Sequence, residues 1–297
     1  MNFNRLILSL TAGIRHPRVR LVGMVLAAAI FCGGLLIAVR SLPWDTHSLN
    51  WGYFVLLILL GGASTLILNV ASFYISANAV RSNISKKNAI RLVVLSSAAN
   101  FLPLPGGILV RVTALKMAGS NYRNAILITG YAGLFWLAVA LLVVGIGLAH
   151  LLAVHSYLLI AIVGTLLGIF SFIGALEISR AKRLIYRLFN IALVTHLVAS
   201  FRFWIAFAMV GVDASIVESA VVSGSGTAGS IVAIIPGGFG INEAAAALLT
   251  HLTGHLAASG FLAAAFNRLA DYIFRGAIAF IFICFDQHSP KSHRDTR

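Results

Sequence analysis

Charged residues are scarce in this chain, and the few that fall inside apolar runs carry what chemistry it has. Arg111, Arg202, Glu243, Arg268, Asp271 and Arg275 sit among mostly apolar neighbours, where an ionised group costs roughly 2.5–3.5 kcal/mol at the centre of a membrane helix. Such a group is kept for a partner or for a ligand. Spacings of three and four put Arg268, Asp271 and Arg275 on one helical face, so Asp271 can pair with either arginine. One positive charge is left over, which Glu243 or a lipid headgroup can meet. Arg202 has no partner close in sequence.

Two clusters of helix breakers accompany these charges. Pro103-Leu104-Pro105-Gly106-Gly107 interrupts the apolar stretch 89–117, and Pro236-Gly237-Gly238-Phe239-Gly240 interrupts 215–251. Proline removes a backbone donor and clashes with the preceding turn, while glycine permits a left-handed turn, so each cluster ends one helix and begins another. The new helix starts with free N–H groups and the positive end of its dipole at the break, which suits an anion. Arg111 lies four residues past Gly107, where its guanidinium can hold a phosphate or carboxylate through two parallel hydrogen bonds, or else snorkel to the surface. Asn242 and Glu243 occupy the matching place after the second cluster. The expected substrate contacts are therefore Pro105, Gly106, Gly107, Arg111, Pro236, Gly237, Gly238, Gly240, Asn242, Glu243, Arg268, Asp271 and Arg275.

Other strings fail on context. Gly224-Ser225-Gly226-Thr227-Ala228-Gly229 has the spacing of a dinucleotide fingerprint but no strand–turn–helix around it, and its small residues suit close helix packing instead, as do Gly164 and Gly168. His251 and His255 are four apart, yet Gly254 interrupts the helix and no third ligand accompanies them. Cys32 and Cys284 lie in separate apolar runs and read as small packing residues. No Ser, His and acid triad presents itself. No catalytic residue, metal or cofactor is expected.

The elements that must position these side chains are membrane helices. Of 297 residues, 60% are hydrophobic and 10% charged, with a mean hydropathy of +0.96; a soluble domain has roughly 45–50% apolar and about 25% charged residues. Apolar stretches at 21–39, 53–79, 124–147, 157–176, 188–210 and 257–285 are each long enough to cross a bilayer. The first is longer than a signal-peptide core and is expected to be retained. No soluble domain fits around them, so 1–297 reads as a single integral membrane domain. The excess of 22 Lys+Arg over 8 Asp+Glu belongs to cytoplasmic loops, with no nucleic-acid partner implied.

Charge placement sets the topology. If both broken segments turn back, 17 basic residues share one side and only Arg40 lies opposite; if both cross, the four at 180–187 move outside. The expected fold is all-α and polytopic: about six full transmembrane helices plus two oppositely oriented re-entrant broken-helix hairpins, at about 85–117 and 215–252, with both termini cytoplasmic. Ser85 precedes Pro105 by 20 positions and Ser215 precedes Pro236 by 21, the spacing of an internal repeat. Halves that enter from opposite faces follow an inverted-repeat plan, with the substrate site where the broken elements meet.

The segments Asn100-Phe101-Leu102-Pro103-Leu104-Pro105-Gly106-Gly107-Ile108-Leu109-Val110-Arg111 and Ile235-Pro236-Gly237-Gly238-Phe239-Gly240-Ile241-Asn242-Glu243-Ala244-Ala245 resemble the two signature segments of the lysylphosphatidylglycerol synthase transmembrane, or flippase-like, family. That resemblance implies a prokaryotic inner-membrane protein that translocates lipid, the fused members of the family moving an aminoacylated phospholipid and some stand-alone members being associated with hopanoid synthesis. Arg268 is a further point of likeness. The family usually has Arg where this chain has Asn242, which removes a charge and alters the headgroup expected. With Arg297 the last residue, there is no room for the aminoacyltransferase domain of the fused enzymes, so lipid aminoacylation is not expected.

The leading expectation is a lipid translocase or lipid-binding carrier of the cytoplasmic membrane, not an enzyme, acting on an anionic, aminoacylated or hopanoid-type lipid. Its partner is the lipid itself, with a homo-oligomer or a lipid-biosynthesis partner as a further possibility. The alternatives are a lipid-modifying enzyme, such as a polyprenyl-dependent glycosyltransferase, and a non-transporting assembly subunit. The first needs paired acids or a metal, and the outer loops offer only isolated Asp45 and Asp213.

Overall fold

A computed structural model describes residues 17–41, 49–99, 106–179, 181–228 and 238–287. All regular structure among them is helical, with no strand. Each of the six continuous apolar stretches is a helix: α1 (Pro17–Ser41), α2 (Trp51–Ala79), α5 (Tyr122–Leu152), α6 (Leu158–Ser179), α7 (Lys182–Met209) and α10 (Ala257–Gln287). The two broken stretches give shorter helices, α3 (Lys86–Ala99) with α4 (Gly106–Met117), and α8 (Ile216–Ser223) with α9 (Ile241–Leu252).

Among the described residues four helices are long and apolar enough to cross a membrane: α2, α5, α7, and α6 together with the 3-10 turn His155–Tyr157 before it. In α1 the apolar part so described is the shorter Ala28–Ser41. Helix α10 has the length, at 31 residues, but Arg268, Asp271 and Arg275 interrupt its apolar run. The outer face of α6 shows why a membrane is needed. Leu159, Ile162, Val163, Leu166, Phe170 and Ile173 stand exposed along one stripe, and a bare apolar face of that extent is not left to water.

Serines start both broken segments in the same way. Ser85 Oγ accepts from Asn88 N–H at 3.3 Å and Ser215 Oγ from Glu218 N–H at 3.2 Å, each hydroxyl capping the third residue of its helix. Glu218 completes a capping box by accepting from Ser215 N–H at 2.6 Å. The segments also close on themselves. Asn83 N–H donates to Ala118 O at 3.1 Å and Ser82 Oγ to Leu115 O at 3.2 Å, so α4 ends beside the start of α3. His255 Nε2 lies 3.4 Å from Glu218 Oε2, joining the loop after α9 to the start of α8.

These two closures lie at opposite ends of the bundle. The first adjoins Val80, at the end of α2; the second follows Met209, whose carbonyl accepts from Asn50 N–H at 3.2 Å at the start of α2. The 29 residues of α2 separate these ends, a rise of roughly 40 Å. Apolar clusters fill each end: Phe73, Val93, Leu115, Ile128 and Ile185 in one, Leu57, Phe207, Met209, Val222 and Ala263 in the other. Helices α2 and α7 contribute to both, and their polar residues fall between.

Close packing is local to small residues. A Cβ on Gly164 would come 2.7 Å from Ala138 O, so α6 meets α5 backbone to backbone there, while one on Gly168 would find ordinary contact at 3.7 Å. Close packing is therefore a property of Gly164 and not of Gly168. Cys32 departs from the packing role expected of it and is exposed on α1, a position a small apolar thiol tolerates against lipid.

Candidate functional site

The polar residues of α2, α3, α7 and α10 meet between the two apolar clusters and line two abutting, partly open cavities of about 370 and 430 Å³. Thr65, Ser97, Trp136, Thr195 and Arg275 line both. The first cavity carries Arg202, Asn242, Glu243, Arg268 and Asp271; the second carries Gly107 and Arg111. The two breaks expected to face each other thus contribute to neighbouring chambers. Of the sequence-predicted contacts, Pro105, Pro236 and Gly237 lie outside the described residues.

The second break is built by glycine. Gly238 and Gly240 have φ of 64° and 82°, a region in which a Cβ is strained, and the turn they make starts α9. Glu243, the third residue of α9, reaches back to accept from Gly240 N–H at 2.8 Å. The same carboxylate lies 2.8 Å from Arg268 Nε and is fully buried. Arg268 also donates to Gly238 O at 3.3 Å and lies over the Phe239 ring. One arginine of α10 therefore clamps the whole turn.

Of the two pairings that the spacing allows Asp271, the structure has the one with Arg275, and it adds a partner from another helix. Arg268 and Asp271 share a helical face, but Arg268 is taken by Glu243, and Asp271 instead pairs with Arg275 at 2.8 Å and with Arg202 at 3.5 Å. The cause is reach across helices: Arg202 on α7 projects onto α10, donating from Nε to Asn267 Oδ1 at 2.8 Å and from Nη2 to Asn267 O at 3.0 Å. Its Nη1 bonds Thr65 Oγ1 and Gly61 O on α2. Arg202 does not snorkel. A guanidinium with a hydrogen-bond partner on each of its three nitrogens ties α2, α7 and α10 at one point.

Arg111 is held differently. Nη2 donates to Asn69 Oδ1 at 3.1 Å, and among the described residues no ion pair reaches it. Arg275 Nη1 donates to Ser97 Oγ at 3.2 Å, while its Nε is buried without a hydrogen-bond partner among the described residues, as are Arg268 Nη1 and Ser225 Oγ. Buried donors left open in a polar cavity are what a bound anion satisfies.

Sequence reasoning missed the neutral members of the site: Thr65, Asn69, Ser97, Ser225 and Asn267. A signal existed for the first two, because Thr65, Asn69, Ser72 and Ser76 recur at three and four residues along α2. Also unforeseen is a buried trio beside the first cavity, with Ser223 Oγ 3.3 Å from both His196 Nε2 and Ser200 Oγ. No acid joins it among the described residues, so it lacks the third member of a hydrolytic triad. His251 and His255 gather no metal set among the described residues, and His255 faces Glu218 instead. Comparison with protein-family models, with curated proteins and with solved structures finds no match for this chain.

Proposed function

We propose that this chain is a lipid translocase or lipid-binding carrier of the cytoplasmic membrane, with the headgroup held in the paired cavities and the acyl chains left in the bilayer. The observation that carries this reading is the cavity's place and lining. Four guanidinium groups and two carboxylates converge at mid-length of the bundle, between two apolar clusters, where charged side chains are costly and mark functional sites.

In this reading six helices span, with α1 and α10 joining the four apolar ones, and the two broken segments re-enter from opposite faces. Their closure at opposite ends of α2 supports that topology, as do their matching serine caps. A pair of broken elements meeting near the midplane is the plan on which alternating-access carriers are built. The resemblance of the two Pro-Gly-Gly segments to the flippase-like family points the same way.

Mass spectrometry of lipids retained by the purified protein tests the reading, with Arg111→Ala and an unrelated membrane protein from the same cells as references. Enrichment of one anionic lipid by the wild type alone is expected. Identical profiles from all three would overturn it in favour of an assembly role.

A further inference from the structure

The charges in the paired cavities do not balance, and the imbalance is localised. In the first cavity Arg268 is matched by Glu243, and Arg202 lies 3.5 Å from Asp271. Asp271 is also the ion-pair partner of Arg275, so one carboxylate serves two guanidiniums. Arg111 has only the neutral Asn69 amide among its described partners. The surplus is therefore two positive charges, one on Arg111 and one shared by Arg202 and Arg275 across Asp271; Arg111 and Arg275 both line the second cavity, in which no described residue is acidic. The neighbouring stretches 100–105 and 229–237 contain no Asp or Glu.

Two like charges facing one chamber of about 430 Å³ repel, and at membrane depth little water is present to screen them. A single negative charge would leave one guanidinium uncompensated. Among the described residues Arg275 Nε is moreover buried with no hydrogen-bond partner, and Ser225 Oγ, only 2% exposed on the wall of the adjoining cavity, has none either. The start of α4, at Gly107, borders the same chamber as Arg111 and adds its positive dipole end.

We infer that the headgroup taken by this site carries two negative charges on phosphate, as a phosphomonoester or a diphosphate, seated between Arg111 and Arg275. Guanidinium binds phosphate through paired hydrogen bonds, so two arginines saturate a dianion that one cannot. A cationic aminoacyl headgroup would raise the surplus and is rejected by the same arithmetic. This assignment rests on the lipid reading above and narrows it to one headgroup class.

Binding of short-chain probes to the full chain in detergent tests it. The probes are dioctanoyl phosphatidic acid, geranylgeranyl diphosphate, dioctanoyl phosphatidylglycerol and dioctanoyl lysylphosphatidylglycerol, with inorganic diphosphate as the tailless control. The two dianions are expected to bind about tenfold or more tighter than phosphatidylglycerol, and the lysyl lipid weakest. Asn69→Asp adds one negative charge beside Arg111 without removing the guanidinium, and Arg111→Gln removes the charge itself. Each is expected to collapse the dianion-to-monoanion ratio to about threefold or less, with Arg111→Lys, which keeps the charge but loses the paired hydrogen bonds, falling between these and the wild type. Lipid binding without preference for a dianion, or a ratio unchanged in both variants, overturns this inference alone. Binding by no lipid probe overturns the lipid reading with it; equal binding of the tailless control overturns the lipid reading while the dianion assignment stands.

Discussion

The Glu243 carboxylate and the Arg268 guanidinium lie 2.8 Å apart with the acid fully buried, so the first turn of α9 is bound to the middle of α10 through one ion pair. Removing one partner strands a buried charge, at a typical cost of about 3–5 kcal/mol, whereas replacing both with apolar residues of similar size is often close to neutral. Glu243→Gln and Arg268→Met are each expected to lower the melting temperature sharply, and the Glu243→Met/Arg268→Met double variant to recover most of the loss. Strict additivity of the two single effects would show that the pair does not act as a unit.

The topology makes a separate demand. Ser120 follows the first broken segment and Gly254 the second, and these points belong to opposite ends of the bundle. Accessibility reporters placed at the two positions are expected to label from opposite sides of the membrane. Labelling of both from one side contradicts the paired re-entrant arrangement.

Packing of α5 on α6 separates two glycines four residues apart. Gly164→Ala places a methyl group against the Ala138 carbonyl and the Leu142 N–H, at 2.7 and 2.8 Å, and backbone cannot step aside as a side chain can. A loss of about 1–3 kcal/mol is expected from such overpacking. Gly168→Ala meets only the Ala138 methyl at 3.7 Å and is expected to be neutral or slightly stabilising. Thermal melts of the two variants in the same detergent distinguish them.

Acid sensitivity should arise at the base of the second broken segment. Burial, the largest single influence on Glu218, pushes its carboxyl up, but hydrogen bonds from the Ser215 backbone and hydroxyl and from His255 together hold it below its ordinary value of 4.5. A carboxylate lowered in the folded state contributes stability in full above the unfolded value and loses it as pH falls through the folded one. Glu218→Gln is therefore expected to melt lower than wild type near neutral pH, with the gap narrowing below pH 4.5. A gap that is constant across this range would show that the charge of Glu218 is not what matters.

What the sequence made legible, and what it hid, follows from the strength of each signal. Runs of twenty apolar residues identify helices almost irrespective of context, so all six stretches are recovered as helices. The two Pro and Gly clusters were legible because backbone chemistry there is not negotiable, and Glu243 was one of two partners, with a lipid headgroup, offered for whichever arginine Asp271 left over. Asp271 was assigned only local partners, since spacing along one helix says nothing of Arg202 arriving from α7. Neutral donors such as Asn69 and Asn267 carry so little hydropathic weight that their cavity was invisible until the helices were assembled.

One further feature explains why the polar side of α2 is hard to see. Residues Leu57–Gly61 form a π turn, which admits one residue more than an α-helical turn, and every later side chain is advanced by about 100° around the axis. Upstream of this turn Tyr53 and Phe54 pack against the apolar cluster at the Met209 end; downstream Thr65, Asn69, Ser72 and Ser76 line the cavity. The polar stripe of α2 therefore begins only after the turn, in a different register from the residues before it. Deleting a single residue within Leu57–Gly61 would bring the halves into phase and rotate the Asn69 amide away from Arg111, disarming the chamber while leaving each of its charged residues in place.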